Sequence, residues 1–465
     1  MKRVLCFLTI ILTTNLLFAQ TDNYKTAADN FQANYNAGSY DEIFNNFSAE
    51  MKQALPLEKT KQFLTGLKTQ MGKIESKEFI SYQQRTYATY KTTFQKGILA
   101  VNISLDDKDR INGLLVRPYK EPTETAKNAV NALNKYPKEI AEIIFSKTKE
   151  FPNNTQLSIA LTQNGITNYY GVIKINDTIS PIENQNNVFE IGSITKVFTS
   201  TVLASLVEEG KIKLTDDINS YYPFPFKDNI ELTFINLANH TSGLPRLPEN
   251  LDLSDPVNPY KSYGKEQIED YLRNMIKLEH MPSKTYSYSN LGAGLLGYTL
   301  GLSQKTSFEE LLQKRVFDQY KMENSFISPL HLNEKLVKGR NPKGEITANW
   351  DFDVLFGAGG VLSTTKDLAK FATGQLDPDN KELALTRKPT FDINENMKIG
   401  LGWHLLKSKK GEDLVWHNGG TGGYSSSIIV NLSNETAVVV LSNVASSHPK
   451  TGNIDELCFE LMNEL

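Results

Sequence analysis

Phe189-Glu190-Ile191-Gly192-Ser193-Ile194-Thr195-Lys196 is the stretch on which the reading of this chain turns. A serine hydroxyl is a weak nucleophile until a neighbouring base takes its proton. If Ser193 opens a helix, Lys196 lies three residues on and on the same face. Desolvation there lowers a lysine's pKa toward the range of a useful base. The helix start also leaves backbone N–H groups aimed at a developing oxyanion. Ser-x-x-Lys occurs again at Ser146, Ser262, Ser363 and Ser447, which read as surface or cap serines. Ser193 alone follows a strand end and Gly192 and precedes a long apolar run, Val197, Phe198, Val202, Leu203, Leu206 and Val207, that stops at Gly210.

Two further elements lie downstream. Tyr288-Ser289-Asn290 is the only Tyr-x-Asn in the chain. A phenol flanked by cations approaches its phenolate form, and could take a proton in acylation and return it to the leaving group. The Asn290 amide is suited to hold Lys196 and to bond a substrate carbonyl. His417-Asn418-Gly419, the only His-x-Gly, follows the strand-like Leu414-Val415-Trp416. Gly419, Gly420, Gly422 and Gly423 remove side chains where a substrate backbone could approach, which predicts a roomy edge for bulky acyl groups.

Each element alone is commonplace, but their order is not. Ser-x-x-Lys, Tyr-x-Asn and His-x-Gly in this sequence resemble the serine β-lactamase and penicillin-binding-protein superfamily. The closest branch holds class C β-lactamases, DD-peptidases, D-aminopeptidases and related esterases. Leu214-Thr215-Asp216-Asp217, Asn239-His240-Thr241-Ser242-Gly243-Leu244-Pro245, Gly357-Ala358-Gly359-Gly360 and Gly400-Leu401-Gly402-Trp403 add to the likeness, which covers roughly 135–465. It implies a β-lactamase-like α/β fold: an antiparallel sheet built from both ends of the domain, flanking helices and a helical subdomain. It implies Ser193 as nucleophile, Lys196 as its proton partner and Tyr288 as general base and acid. Asn290, His417 and Gly419 would meet substrate, and the backbone N–H groups of Ser193 and Gly420 would form the oxyanion hole. His240 falls in a segment that reads as architectural. No metal or organic cofactor is implied.

Where β-lactamases of this branch commonly present Lys-Thr-Gly, this chain has His417-Asn418-Gly419. A group largely neutral at pH 7 replaces a permanent cation. That points to a peptidase or esterase acting on an ester, amide or D-amino-acid bond, ahead of a β-lactamase or a non-catalytic penicillin-recognising sensor.

Around this core the chain is organised simply. Lys2-Arg3, the apolar run Val4 to Phe18 and Ala19-Gln20 form a secretory signal pattern over 1–20, so a periplasmic or extracellular location is expected. Cys6 would leave with it, and Cys458 alone cannot form an intramolecular disulfide. Residues 21–119 read as a small α+β domain: helices over Tyr24–Phe47 and Leu57–Met71, then strands Phe79–Thr93, Gly97–Leu105 and Ile111–Tyr119. They resemble NTF2 and cystatin-like domains, a fold analogy without activity; an accessory role is expected, with peptide or glycan binding as the alternative. A linker at 120–134 precedes the domain 135–465, and Ala126–Phe151 reads as a helix interrupted near Pro137. Net charge is −3 over 465 residues, with no basic stripe, which argues against nucleic acid. The expected partner is a small-molecule or peptide substrate, cell-wall fragments included. No segment after the signal is apolar enough to span a membrane.

Overall fold

The computed structural model describes residues 22–83, 87–106, 108–119, 129–255, 257–408 and 410–465. Residues 1–20, read above as a secretory signal and holding Cys6, lie outside them, as do residues 120–128 of the linker stretch. Two compact units divide between Thr123 and Glu124.

In the first unit, helices Asp22–Ala37, Tyr40–Asn45, Ala49–Ala54 and Leu57–Met71 precede an antiparallel meander. Its strands are β1 (Ile74–Gln83), β2 (Tyr87–Phe94), β3 (Gly97–Leu105) and β4 (Ile111–Pro118), paired in that order. Phe31, Tyr35, Phe47, Tyr90 and Phe94 fill the core between the layers. The single strand expected over Phe79–Thr93 is corrected to two, with Gln83 facing Tyr87. No Gly, Pro, Asn or Asp stands between them, so the reversal leaves no turn signal.

The second unit is built on a ten-stranded sheet. Its strands are β5 (Val130–Asn131), β6 (Gln156–Gln163), β7 (Ile166–Ile175) and β8 (Thr178–Ile182) from the N-terminal side. Two short strands outside it, β9 (Val188–Glu190) and β10 (Leu362–Thr364), pair with each other. The sheet is completed by β11 (Phe391–Asn394), β12 (Met397–Ile399), β13 (His404–Lys407), β14 (Asp413–Gly420), β15 (Ser425–Asn431) and β16 (Thr436–Ser442). The order is β11-β12-β13-β14-β15-β16-β6-β7-β8-β5, so the two ends of the unit meet where β16 pairs with β6. All pairs in it are antiparallel except β5 with β8. The β6–β7 reversal falls at Asn164-Gly165, both at positive φ, as a two-residue hairpin requires.

Val130–Asn131 and the buried Leu133 correct the linker reading over 130–134, because backbone pairing with β8 draws that stretch into the sheet. Of the helix expected over Ala126–Phe151, residues 126–128 lie outside the described residues; within them the helix begins at Lys138, after Pro137, and runs to Thr148. Proline at a helix start gives up no intrahelical hydrogen bond.

Both faces of the sheet are covered, so its central strands β15 and β16 are buried along their whole length. Val438 and Val440 face helices Lys138–Thr148 and Gly452–Glu464, where Cys458 is a packing residue. Val439 and Leu441 face the other way, onto the core around helix Thr195–Glu208. Every residue of that helix from Thr195 to Leu206 is buried, which places it at the centre of the unit. Among the described residues no helix is long and apolar enough to cross a membrane.

Candidate active site

Strand β9 delivers the chain to Gly192, whose φ is +52, and a single 3-10 turn leads into the central helix. A Cβ on Gly192 would stand 2.5 Å from the backbone nitrogen of Gly420, so only glycine lets the two motifs touch here. Ser193 is partly exposed between buried Gly192 and Ile194. One turn further, Lys196 is 2% exposed.

The ammonium position of Lys196 has three neighbours: Ser193 Oγ at 3.0 Å, Asn290 Oδ1 at 2.9 Å and the carbonyl of Ala358 at 2.7 Å. Two of these can only accept a hydrogen bond, whereas a serine hydroxyl can also donate one. Burial, helped by the charge of Arg246, holds the Lys196 pKa well below the usual lysine range. A neutral amine satisfies the set: it donates to Asn290 and Ala358 and turns its lone pair to the Ser193 hydroxyl.

Tyr288 lies over this corner. Lys196 Nζ is 4.9 Å from its ring centre and the Arg246 guanidinium 5.2 Å. The basic side chains expected from the sequence are therefore beside it. They do not produce a phenolate: burial dominates and pushes the phenol up to about 12, against a hydrogen bond with Ser193 and the Arg246 charge. The expectation of a near-phenolate is corrected accordingly, and Tyr288 rests protonated.

His240, read as architectural, packs its ring 4.4 Å from that of Tyr288. Its Nδ1 accepts from the backbone N–H of Ser289, and its carbonyl from that of Ser287. It sits at φ +59, a left-handed conformation rare for a side chain of this size. His240 is a positioning residue that holds the Tyr288–Asn290 turn without touching Ser193. Tyr260 does the same for Asn290, whose Nδ2 donates to its hydroxyl at 3.0 Å.

His417 is buried in β14, its Nδ1 2.6 Å from the carbonyl of Asn418 and its Nε2 without a partner. Burial and the neighbouring His404 and Lys196 keep it well below the usual histidine range, hence neutral. The glycines after it do not leave open room. A Cβ at Gly419 would meet the carbonyl of Ile191 at 2.0 Å, one at Gly420 the Cβ of Ser446 at 2.4 Å, and one at Gly423 the Cα of Gly339 at 2.8 Å. The protein's own chain fills that space, which corrects the roomy edge expected there. Among the remaining Ser-x-x-Lys serines, Ser363 is not a surface residue but is buried in β10, bonded to Ser325.

The structure thus brings Ser193, Lys196, Tyr288, Asn290, His417, Gly419 and Gly420 together from three separate segments. Sequence reasoning missed Arg246, Tyr260 and the Ala358 carbonyl, and underrated His240. Ala358 and His240 lay in segments already marked by resemblance, whereas Arg246 and Tyr260 did not. Among the described residues no group of three or more His, Cys, Asp or Glu could hold a metal ion.

Both units are similar to known proteins or families. The family model for Beta-lactamase matches residues 153–457. A protein of unknown function family (DUF3887) matches residues 28–114. A beta-lactamase of Pseudomonas fluorescens is 28% identical over 54% of this chain and 69% of its own length. The D-alanyl-D-alanine-carboxypeptidase/endopeptidase AmpH of Escherichia coli is 26% identical over 55% and 70%. Protein flp of Staphylococcus aureus is 25% identical over 59% of this chain, which spans just over half (56%) of that relative. Among solved structures, a beta-lactamase/D-alanine carboxypeptidase from Pseudomonas syringae overlays on 70% of this chain and 98% of its own, with TM-score 0.59 and 22% identity. A class C beta-lactamase gives TM-score 0.59 at 21% identity, over 70% of this chain and 95% of its own. The second unit therefore has the β-lactamase-like fold expected from the sequence.

Proposed function

Because the chain belongs to the beta-lactamase family and is a serine hydrolase of that superfamily, we propose that it acts through an acyl-enzyme on Ser193. Its substrates in this reading are ester, amide or D-amino-acid peptide bonds, and the secretory pattern of residues 1–20 supports a location outside the cytoplasm. The observation that carries it is the contact set of Lys196, a buried amine whose Nζ lies 3.0 Å from Ser193 Oγ and beside Asn290 Oδ1 and the Ala358 carbonyl.

Lys196 takes the Ser193 proton as Oγ bonds to the substrate carbonyl carbon. The carbonyl oxygen becomes an oxyanion facing the N–H groups of Ser193 and Gly420, each worth about 3 kcal/mol in the transition state. Tyr288, protonated at rest, gives its proton to the departing nitrogen or oxygen and regains one from Lys196 as the bond to the leaving group breaks. Water then attacks the acyl ester; its proton returns to Ser193 and the acid departs. The neutral His417 leaves its own position without the permanent cation that β-lactamases of this branch commonly present there, which supports this reading over β-lactam hydrolysis.

The test is to incubate the protein with a p-nitrophenyl ester, a D-Ala-D-Ala peptide and a chromogenic cephalosporin while following its mass. Ester or peptide turnover with a transient adduct on Ser193 is expected. Faster turnover of the cephalosporin would overturn the substrate preference, and a lasting adduct without turnover would favour a sensor. A Ser193→Ala protein with undiminished activity would remove the nucleophile assignment.

A further inference from the structure

We propose that Arg246 is the residue that selects substrates carrying a carboxylate on the leaving group, a proposal that rests on the Ser193 acyl-transfer reading above. Arg246 is exposed, yet its main chain is fixed: its carbonyl accepts from the N–H groups of Asn290 and Leu291 at 3.0 and 3.1 Å. The preceding carbonyl, of Pro245, accepts from Ser289 Oγ at 2.7 Å. The loop that carries the guanidinium is therefore tied directly to the turn that carries Tyr288.

The guanidinium lies 5.2 Å from the Tyr288 ring centre, on the aromatic group that protonates the leaving atom. Among the described residues no carboxylate pairs with it, whereas Arg110 and Arg315 sit in ion pairs with Asp106 and Glu209. An unpaired guanidinium at the mouth of a site presents donors in a fork that matches a carboxylate. It also supplies what the site otherwise lacks. Lys196 is buried and turned to Ser193, Asn290 and Ala358, and His417 is neutral. Arg246 is thus the cation left to meet an anionic leaving group, such as the free terminal carboxylate of a peptide.

The probes are two esters of one N-acylglycine, with 3-hydroxybenzoate or unsubstituted phenol as leaving group. Their kcat/KM ratio, corrected for alkaline hydrolysis, is compared in wild type, Arg246→Ala and Arg246→Lys. The wild type is expected to favour the benzoate ester by about tenfold, Ala to abolish that preference and Lys to restore part of it. An unchanged ratio in Arg246→Ala overturns the inference. So does an equal fall for both esters, which would assign Arg246 to the proton affinity of Tyr288. Ser193→Ala run in parallel separates the two claims: if it abolishes both hydrolyses while the ratio ignores Arg246, the nucleophile stands and the carboxylate site falls.

Discussion

The two units differ in what they bury. In the first, among the described residues, the buried polar side chains are Ser48, Thr60, Thr89, Thr92, Asn102 and Ser104, with no Lys, Asp, Glu or His. The second buries Lys174, Glu190, Lys196, His240, Asp367, His404 and His417. Desolvating an ionisable group is costly unless its partners offset the loss. A chain that does so repeatedly in one unit and never in the other concentrates its chemistry. Burial alone does not mark the site, however. Lys174 is as buried as Lys196, but its Nζ donates to the carbonyls of Lys149 and Phe151 and lies 3.3 Å from Asp177, so all its partners are acceptors. Lys196 lacks a carboxylate and faces a hydroxyl.

The sharpest way to break this contrast is to exchange the two lysines for apolar residues. Lys196→Met is expected to lower kcat/KM on a p-nitrophenyl ester by about 10³-fold, the scale of a lost general base. Lys174→Met is expected to lower the midpoint of urea unfolding while the folded protein keeps its kcat/KM within about threefold. Equal catalytic losses in both variants would mean that burial, and not the hydroxyl partner, is what distinguishes Lys196.

That distinction was half legible in the sequence. Ser193, Lys196, Tyr288 and Asn290 announce themselves because the side chains doing the work are the residues that the spacing selects. The third acceptor for Lys196 is the main-chain carbonyl of Ala358, 162 positions away, and a carbonyl is common to every residue. Arg246 carries no periodic or motif signal, because only the folding of its loop onto Asn290 brings it to Tyr288. The glycines after His417 were read for the wrong occupant. Their lack of side chains is visible in one dimension, but what enters the space, Ile191 and Ser446, is decided by pairing between distant segments. The same holds for the fold. The hairpin at Asn164-Gly165 is written in its turn residues, whereas β1 and β2 are joined by a stretch with no breaker.

The separateness of the two cores gives the next prediction. The first is formed by residues between Ala28 and Ile111, the second unit's by residues from Leu133 onward. Phe47 is fully buried in the first. Phe47→Ala is expected to cost that unit about 4 kcal/mol and to give an early calorimetric transition. The main transition and the ester kcat/KM should hold. Loss of both would show that the catalytic unit depends on the first for its stability, and the contrast would reduce to one cooperative body.

The smallest effect concerns pH. Asn418, beside His417, donates through Nδ2 to Asp455 Oδ2 at 2.8 Å, while Asp455 Oδ1 has no partner. Burial raises the Asp455 carboxyl to about 6, against the hydrogen bonds from Asn418 and Ser427. A carboxyl whose pKa is higher folded than unfolded binds its proton more tightly in the folded state. Its contribution to stability is therefore full below about pH 4, where both states are protonated at this group, and is lost as pH rises through about 6. Allowing for the partial solvent exposure of Asp455, the loss is on the order of 2 kcal/mol. Asp455→Asn keeps an oxygen acceptor for Asn418 and removes the titration. The urea midpoint of the second unit should then change less between pH 4 and pH 7 than in the wild type, whatever its absolute value. A variant with the wild-type slope would place the pH dependence elsewhere, first on Glu190, which burial also raises to about 6. The first unit, with no such buried carboxyl, should show neither effect.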